Sequence, residues 1–302
     1  MIDFPSYIKL YEQGIIDDRL EAILTRAAPC MLCPRQCMAD RINGDTGYCQ
    51  APYDLLLSSA SPHFGEEAPL VGTHGSGTIF LTHCNLRCCF CQNYEISIRG
   101  EGIRYTSAAL SDLMMDLQNK GCHNINFVTP THYIHQIIKA LPLAIEKGLR
   151  VPLVYNTSGY DSPDTIRLLD GIFDIYMPDI KFMDPRFASR YCHAENYPTV
   201  VTEVIYEMHR QVGDLITDKS GIARKGLIIR HLQMPSLIDD SKAVLDFVTS
   251  MSRNSYVNIM SQYYPCHLAP EMPEISRRIT ADEHDEIIRY ARSLGLVRAN
   301  RH

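Results

Sequence analysis

Long apolar runs, basic blocks and an apolar leader are all missing from this 302-residue chain. No run approaches the ~18 apolar residues that a helix needs to span a bilayer, so a helical membrane protein is excluded and no membrane partner is expected. Lys and Arg number 29 against 35 Asp and Glu, a net charge of −6 with no cluster of cations. Nucleic acid is therefore not an expected partner, since phosphate backbones are held by clustered cations. Residues 1–10 show no signal-like segment, so the expectation is a cytoplasmic protein whose cysteines stay reduced rather than pairing in a disulfide framework. A 45% hydrophobic share is that of a packed domain and excludes a disordered or fibrous chain.

What the chain has in quantity is cysteine, eleven residues in all. The stretch GTIFLTHCNLRCCFCQNY, residues 77–94, carries an apolar run with strand alternation over 78–82 and then sets Cys84, Cys88 and Cys91 on one loop, with Asn85 favouring a turn. Gaps of three and two residues let such a loop wrap three corners of a cubane [4Fe-4S] cluster, each thiolate reaching a different iron and a fourth iron staying open. Cys89 is read as packing. The alternatives are ordinary buried thiols and a zinc site made by the same three cysteines with a histidine such as His83.

A second group lies upstream in CMLCPRQCMADRINGDTGYC, where Cys30, Cys33, Cys37 and Cys49 fall within twenty residues and Pro34, Gly44 and Gly47 keep the backbone looped. Four converging thiolates are a metal signal, and tetrahedral sulfur suits zinc as well as iron-sulfur. The second site is thus read as zinc or iron-sulfur, with a purely structural staple or free packed thiols as the other readings.

Residues 20–27 carry helical spacing. Residues 51–76 are rich in Gly, Pro, Ser and His, and read as an ordered connection in which His63, Glu66 and Glu67 are the notable polar groups. Gly72, Gly75 and Gly77 allow close backbone approach, which alone is weak support for a phosphate loop. Beyond the cysteine loop, strands and helices alternate: helices at 107–120, 132–147, 163–170, 196–212 and 239–250, strands at 124–129, 152–156, 172–177, 227–232 and 256–262. Short apolar strands separated by amphipathic helices imply an α/β fold with a parallel sheet, here a partial (β/α)6 TIM-like barrel. The expected division is a Cys-rich N-terminal extension, 1–74, and a barrel with a C-terminal helix, 75–302. In such folds the site lies at the C-terminal ends of the strands. Those ends are polar here: TPTHY (129–133), YNTSGY (155–160), MPDIK (177–181), RHLQMP (230–235) and SQYYPCH (261–267).

CNLRCCFC, with Phe90 before its last cysteine, resembles the CxxxCxxC motif of the radical S-adenosylmethionine (radical SAM) superfamily. The resemblance covers roughly residues 30–290 and is most similar to the glycyl-radical-enzyme activating enzymes, in particular the PflX-like branch described as pyruvate formate-lyase activating enzyme-like. CMLCPRQC, PHFGEE, GSGTIF, VTPTHY, NTSGY and RHLQMP carry it. It implies a radical SAM type of barrel, a [4Fe-4S] cluster whose open iron is chelated by S-adenosyl-L-methionine, and an electron donor such as flavodoxin or ferredoxin. It also implies that Asp179 and Lys181 of PDIK, and Arg230, contact S-adenosylmethionine, with a looser match at His267.

Where the activating enzymes carry Gly-Gly-Glu, this chain has Val128-Thr129-Pro130-Thr131-His132, so the Thr129 or Thr131 hydroxyl is the candidate acceptor for the methionine amine, a weaker partner than a carboxylate. Asn156 and Ser158 are candidates for the ribose or substrate side. The bland reading of Asp179 and Lys181 is a strand-end ion pair. Three functions are carried forward: hydrogen abstraction from a glycine of a protein substrate, radical modification of a small molecule or peptide side chain, and a non-catalytic iron-sulfur or zinc scaffold.

Overall fold

The computed structural model describes residues 5–301; residues 1–4, part of the stretch read for a leader, and 302 lie outside the described residues. Ten strands are present among them: β1 (Leu55–His63), β2 (Ser76–Leu81), β3 (Ile103–Tyr105), β4 (Ile125–Val128), β5 (Leu153–Thr157), β6 (Ile175–Pro178), β7 (Ile216–Thr217), β8 (Ala223–Leu232), β9 (Tyr256–Met260) and β10 (Ala299–Arg301). They join in the order β10-β9-β8-β6-β5-β4-β2-β1-β3, with β7 alongside β8. From β2 to β10 along that order every neighbour is parallel, while β1 and β3 run antiparallel at one edge. The fold is thus mixed α/β with a largely parallel sheet, and the sheet is open: β3 and β10 are its ends.

Parallel strands are buried on both faces, so their sequences run apolar rather than alternating cleanly. Registration sorts the two faces. Ile79, Phe127, Tyr155, Tyr176, Ile229 and Val257 point to one side and share an apolar cluster with the helices. Val154, Ile175, Met177, Ile228 and Tyr256 point to the other and pack in a smaller cluster with Leu70. Further along the same inner face come Phe80, Val128, Asn156, Arg230 and Met260. Strand direction therefore carries the inner face from an apolar end to a polar one, where the loops bearing the cysteines leave.

Helices 107–120, 132–147, 196–212 and 239–250 of the sequence reading correspond to Ser107–Asn119, Ile134–Glu146, Tyr197–Val212 and Ile238–Met251, and the C-terminal helix is Ala281–Ser293. The connection expected at 51–76 is corrected: it contains β1, nine residues paired to β2. Ser, Pro and His make that strand look like a loop, because only Leu55 and Leu57 face the core while the rest are half-covered or exposed. The strand expected from 172 starts at Ile175, and an unforeseen helix, Pro185–Cys192, follows β6.

Helices Ser6–Glu12 and Ile15–Ala27 and the cysteine segment after them join the main apolar cluster through Tyr7, Ile16, Ile23, Cys30 and Leu32. Arg41 fastens this segment to the sheet. Its side chain is 2% exposed, donates from Nη1 to His132 O at 2.7 Å and from Nη2 to Pro52 O, and lies over the Tyr133 ring at 5.8 Å. A buried guanidinium is tolerated only when its N–H groups find acceptors. Two charge-assisted bonds of about 1.5–3 kcal/mol each set the expectation for Arg41→Ala: a loss of at least about 3 kcal/mol in the free energy of urea unfolding, with the m-value unchanged.

Candidate active site

A cavity of about 260 Å³ opens at the C-terminal ends of the strands. One wall is the loop after β2, which contributes Cys84, Cys88 and Cys91; the opposite wall is Asn156, Ser158, Asp179, Lys181 and Arg230, with Thr129 between them. Residues as far apart in sequence as Cys84 and Arg230 thus meet because parallel strands end together.

The loop is held by its own turns. His83 and Arg87 take left-handed backbones (φ +66° and +57°), and Asn85 Nδ2 donates to Tyr160 O at 2.6 Å. Each of the three sulfurs has a near partner: Leu86 N–H donates to Cys84 Sγ at 3.4 Å, Cys91 Sγ lies 3.0 Å from Ser97 Oγ, and Cys192 Sγ donates to Cys88 Sγ at 3.3 Å. Burial, reinforced by Cys88, pushes the Cys84 thiol up to about 12, and burial likewise raises Cys91. The Cys192 contact pulls Cys88 below its ordinary range against burial. Ligation by a metal must therefore displace protons. Cys89 faces away, its sulfur 3.5 Å from Met272 Sδ.

Across the cavity Asp179 is bound twice: Lys181 Nζ donates to Oδ2 at 2.8 Å and Arg230 Nε to Oδ1 at 2.9 Å. Arg230 Nη2 also donates to Asn156 Oδ1 at 2.7 Å, and its Nη1 lies 3.7 Å from Glu66 Oε2. Burial raises the Asp179 carboxyl, and the Arg230 and Lys181 charges more than reverse it, leaving it below the usual carboxylate range. Burial alone would lower Lys181, but the neighbouring charges, Asp179 first, and the bond to Asp179 together push it well above its usual value.

Tyr197 fixes the backbone beneath. Its hydroxyl accepts from Lys181 N–H at 3.0 Å and lies 2.9 Å from Ser158 O and 3.0 Å from Asp179 O. His231, between β8 neighbours, donates from Nδ1 to Ile180 O at 2.8 Å and so leaves Nε2 to accept from Ser241 Oγ; burial lowers it to about 4.

The two threonines part company. Thr129, with φ +58°, lines the cavity. Thr131 is turned away and spent: its Oγ1 donates at 2.6 Å to Asp161, a fully buried carboxylate that also accepts from Tyr155 and Thr157. His267 stacks on Tyr94 at 5.1 Å and is not in the cavity wall. His83 is also outside it, with Nδ1 2.9 Å from Thr82 Oγ1.

Upstream, Cys30, Cys33 and Cys49 are buried and Cys37 half-buried. Cys30 and Met38–Ala39 are drawn together by Cys30 N→Ala39 O and Met38 N→Cys30 O bonds, and a side chain at Gly47 would run into Cys37 Sγ at 2.6 Å. Burial pushes Cys33 up to about 12, with Cys49 and Cys30 adding to it. Among the described residues no group of three or more His, Cys, Asp or Glu is gathered as the ligands of a single ion. For Cys84, Cys88 and Cys91 that arrangement is not what a cubane asks for, since each thiolate takes its own iron; for the upstream four it leaves a second metal a proposal.

Arg35 ties the two cysteine groups. It donates from Nε to Asn85 O at 3.1 Å, from Nη2 to Cys192 O at 3.2 Å and from Nη1 to His193 O, and lies 3.9 Å over the Tyr48 ring.

Three thiols of one loop thus share a cavity with a carboxylate flanked by two cations, and Ser158 Oγ, buried in that wall, has no partner of its own. Residues 78–219 match the model of the radical SAM superfamily. The match covers just under half of the chain and supports membership of that superfamily, whose enzymes typically bind a [4Fe-4S] cluster and S-adenosylmethionine. The chain is also similar, at 28% identity over 98% of its length and 85% of the relative's, to an uncharacterized protein of Methanocaldococcus jannaschii, MJ0674. No helix among the described residues is long and apolar enough to cross a membrane.

Cys192 and Tyr197 were not singled out from the sequence, and no spacing signal marks either. Gly159 packs closely against the backbone of Asp179: at φ +77° an added Cβ would meet Asp179 O at 2.4 Å. Gly159→Ala is expected to cost about 2–4 kcal/mol, from left-handed strain plus overpacking, measured by guanidinium unfolding; a change under about 0.5 kcal/mol would show that this approach does not hold Asp179 in place.

Proposed function

We propose that the chain is a radical SAM enzyme in which Cys84, Cys88 and Cys91 hold a [4Fe-4S] cluster and the facing wall holds S-adenosylmethionine. The observation that carries this reading is the convergence of the three thiols with Asp179, Lys181 and Arg230 on one cavity. When bound, the cluster and S-adenosylmethionine supply a one-electron cleavage that gives a 5′-deoxyadenosyl radical for hydrogen abstraction.

The chain's own residues bind and orient. Asp179 is an acceptor suited to ribose hydroxyls and is kept ionised by Arg230 and Lys181. Lys181 offers a point charge to a carboxylate, and Arg230 a planar fork. Asn156 is already bound to that fork and so sets its plane, while the free Ser158 hydroxyl is placed to bond ligand in the same wall. Of the two candidate acceptors for the methionine amine, in the segment where the activating enzymes carry Gly-Gly-Glu, Thr129 is favoured because it lines the cavity while the Thr131 hydroxyl is bound to Asp161. Phe80, Leu232 and Met260 line the cavity with apolar surface and exclude water from the reacting centre.

The finer reading is abstraction from a glycine of a protein substrate, as in the glycyl-radical activating enzymes of the PflX-like branch, with a flavodoxin or ferredoxin as electron donor and a cytoplasmic setting. Cys30, Cys33, Cys37 and Cys49 are then the ligands of a second site, zinc or iron-sulfur, in a Cys-rich extension. Modification of a small molecule or peptide side chain is the second reading, favoured by the Thr-Pro-Thr departure at the strand end. A scaffold without turnover is the third.

Anaerobic, reduced protein is expected to form 5′-deoxyadenosine, and Cys88→Ala to abolish it; cleavage retained in that variant would refute the assignment. A glycine-centred EPR signal in an added glycyl-radical partner separates the first reading from the second. Iron, zinc and sulfide counts of wild type beside a Cys84/Cys88/Cys91 triple variant are expected to differ by one four-iron cluster per chain.

A further inference from the structure

Cys192 is the last residue of the helix Pro185–Cys192, and its sulfur lies 3.3 Å from Cys88 Sγ with both thiols buried. The placement is held by bonds that do not involve the sulfurs. Cys89 N–H donates to Tyr191 O at 2.8 Å, pinning the helix end to the loop one residue beyond Cys88. Arg35 Nη2 binds Cys192 O at 3.2 Å. His193 takes a left-handed backbone, φ +52°, and ends the helix at that point. Cys192 does not line the cavity, so it does not face whatever binds there, and its route to the chemistry runs through Cys88.

We infer that Cys192 is a positioning residue for the cluster, whose S–H donates to the Cys88 sulfur and raises the reduction potential of the iron held there. The inference rests on the assignment of Cys88 as a cluster ligand. Negative charge on the ligand sulfurs increases when a cluster is reduced, so a donor aimed at one of them favours the reduced form; hydrogen bonds to sulfur are among the levers that set such potentials. The other two sulfurs have partners of a different kind, the Leu86 amide for Cys84 and the Ser97 hydroxyl for Cys91. Cys88 alone of the three faces a thiol, which is a weak donor, in a place where burial removes competition from water.

A buried cysteine can also be a small apolar filler, and the two roles differ in what they move. The test is a redox titration of the full chain, reconstituted anaerobically with iron and sulfide and without S-adenosylmethionine, followed by the EPR signal of the reduced cluster. At the wild-type midpoint, Cys192→Ala is expected to lower the ratio of reduced to oxidised cluster several-fold, a tenfold drop corresponding to 59 mV for one electron. Cys192→Ser keeps a donor and is expected to stay within about twofold of wild type. Equal midpoints in wild type and Cys192→Ala would overturn the inference, as would loss of iron from both variants, which would make Cys192 a support of the fold. Wild type lacking iron at the three thiols would overturn the cluster assignment and this inference with it, whereas iron present with an unmoved midpoint overturns this inference alone.

Discussion

Asp179 lies between the Lys181 ammonium and the Arg230 guanidinium, and the polar end of the sheet depends on that three-way contact. Removing two cations and an anion from water is costly, and mutual attraction offsets the cost only where the geometry is close and the remaining hydrogen-bonding capacity is used. Here it is used: Arg230 goes on to Asn156 and towards Glu66, and the Tyr197 hydroxyl binds Asp179 O and Lys181 N–H of the backbone that follows the carboxylate. The contact spans β5, the end of β6 and β8, so it also holds three neighbouring strand ends in register. The bland reading of Asp179 and Lys181 as an ion pair and their reading as ligand contacts are compatible, because an ionised, preoriented wall is what a zwitterionic cofactor needs.

The opposite wall obeys a different constraint. Burial suppresses the charge of Cys84 and Cys91, whereas the Cys192 contact favours charge at Cys88, so the loop is shaped before it is fully charged. Its left-handed residues and the Asn85 bond to Tyr160 fix the backbone, and the sulfurs each meet a donor or partner. Under the proposed assignment, a cluster entering this loop would meet a backbone already fixed and would displace protons from Cys84 and Cys91.

Much of this was legible from sequence because parallel strands buried on both faces leave short apolar runs, and the helices between them keep their spacing. The polar strand ends were legible for the same reason, since polar residues following an apolar run have no core to enter. β1 was not, because its Ser, Pro and His content answers to an edge with one half-covered face. Nor could two threonines two residues apart be told apart: the left-handed turn at Thr129 decides which hydroxyl meets the cavity, and the buried Asp161 claims the other. The Cys88–Cys192 contact crosses 104 positions, beyond the reach of any local spacing.

Arg35 gives the two cysteine groups a shared keystone. One guanidinium holds a carbonyl of the loop after β2 and carbonyls at the end of the helix that carries Cys192, while its own backbone belongs to the run between Cys33 and Cys37. The upstream thiols and the loop thiols are consequently mechanically linked, so oxidative damage to the first group would slacken the second without touching it.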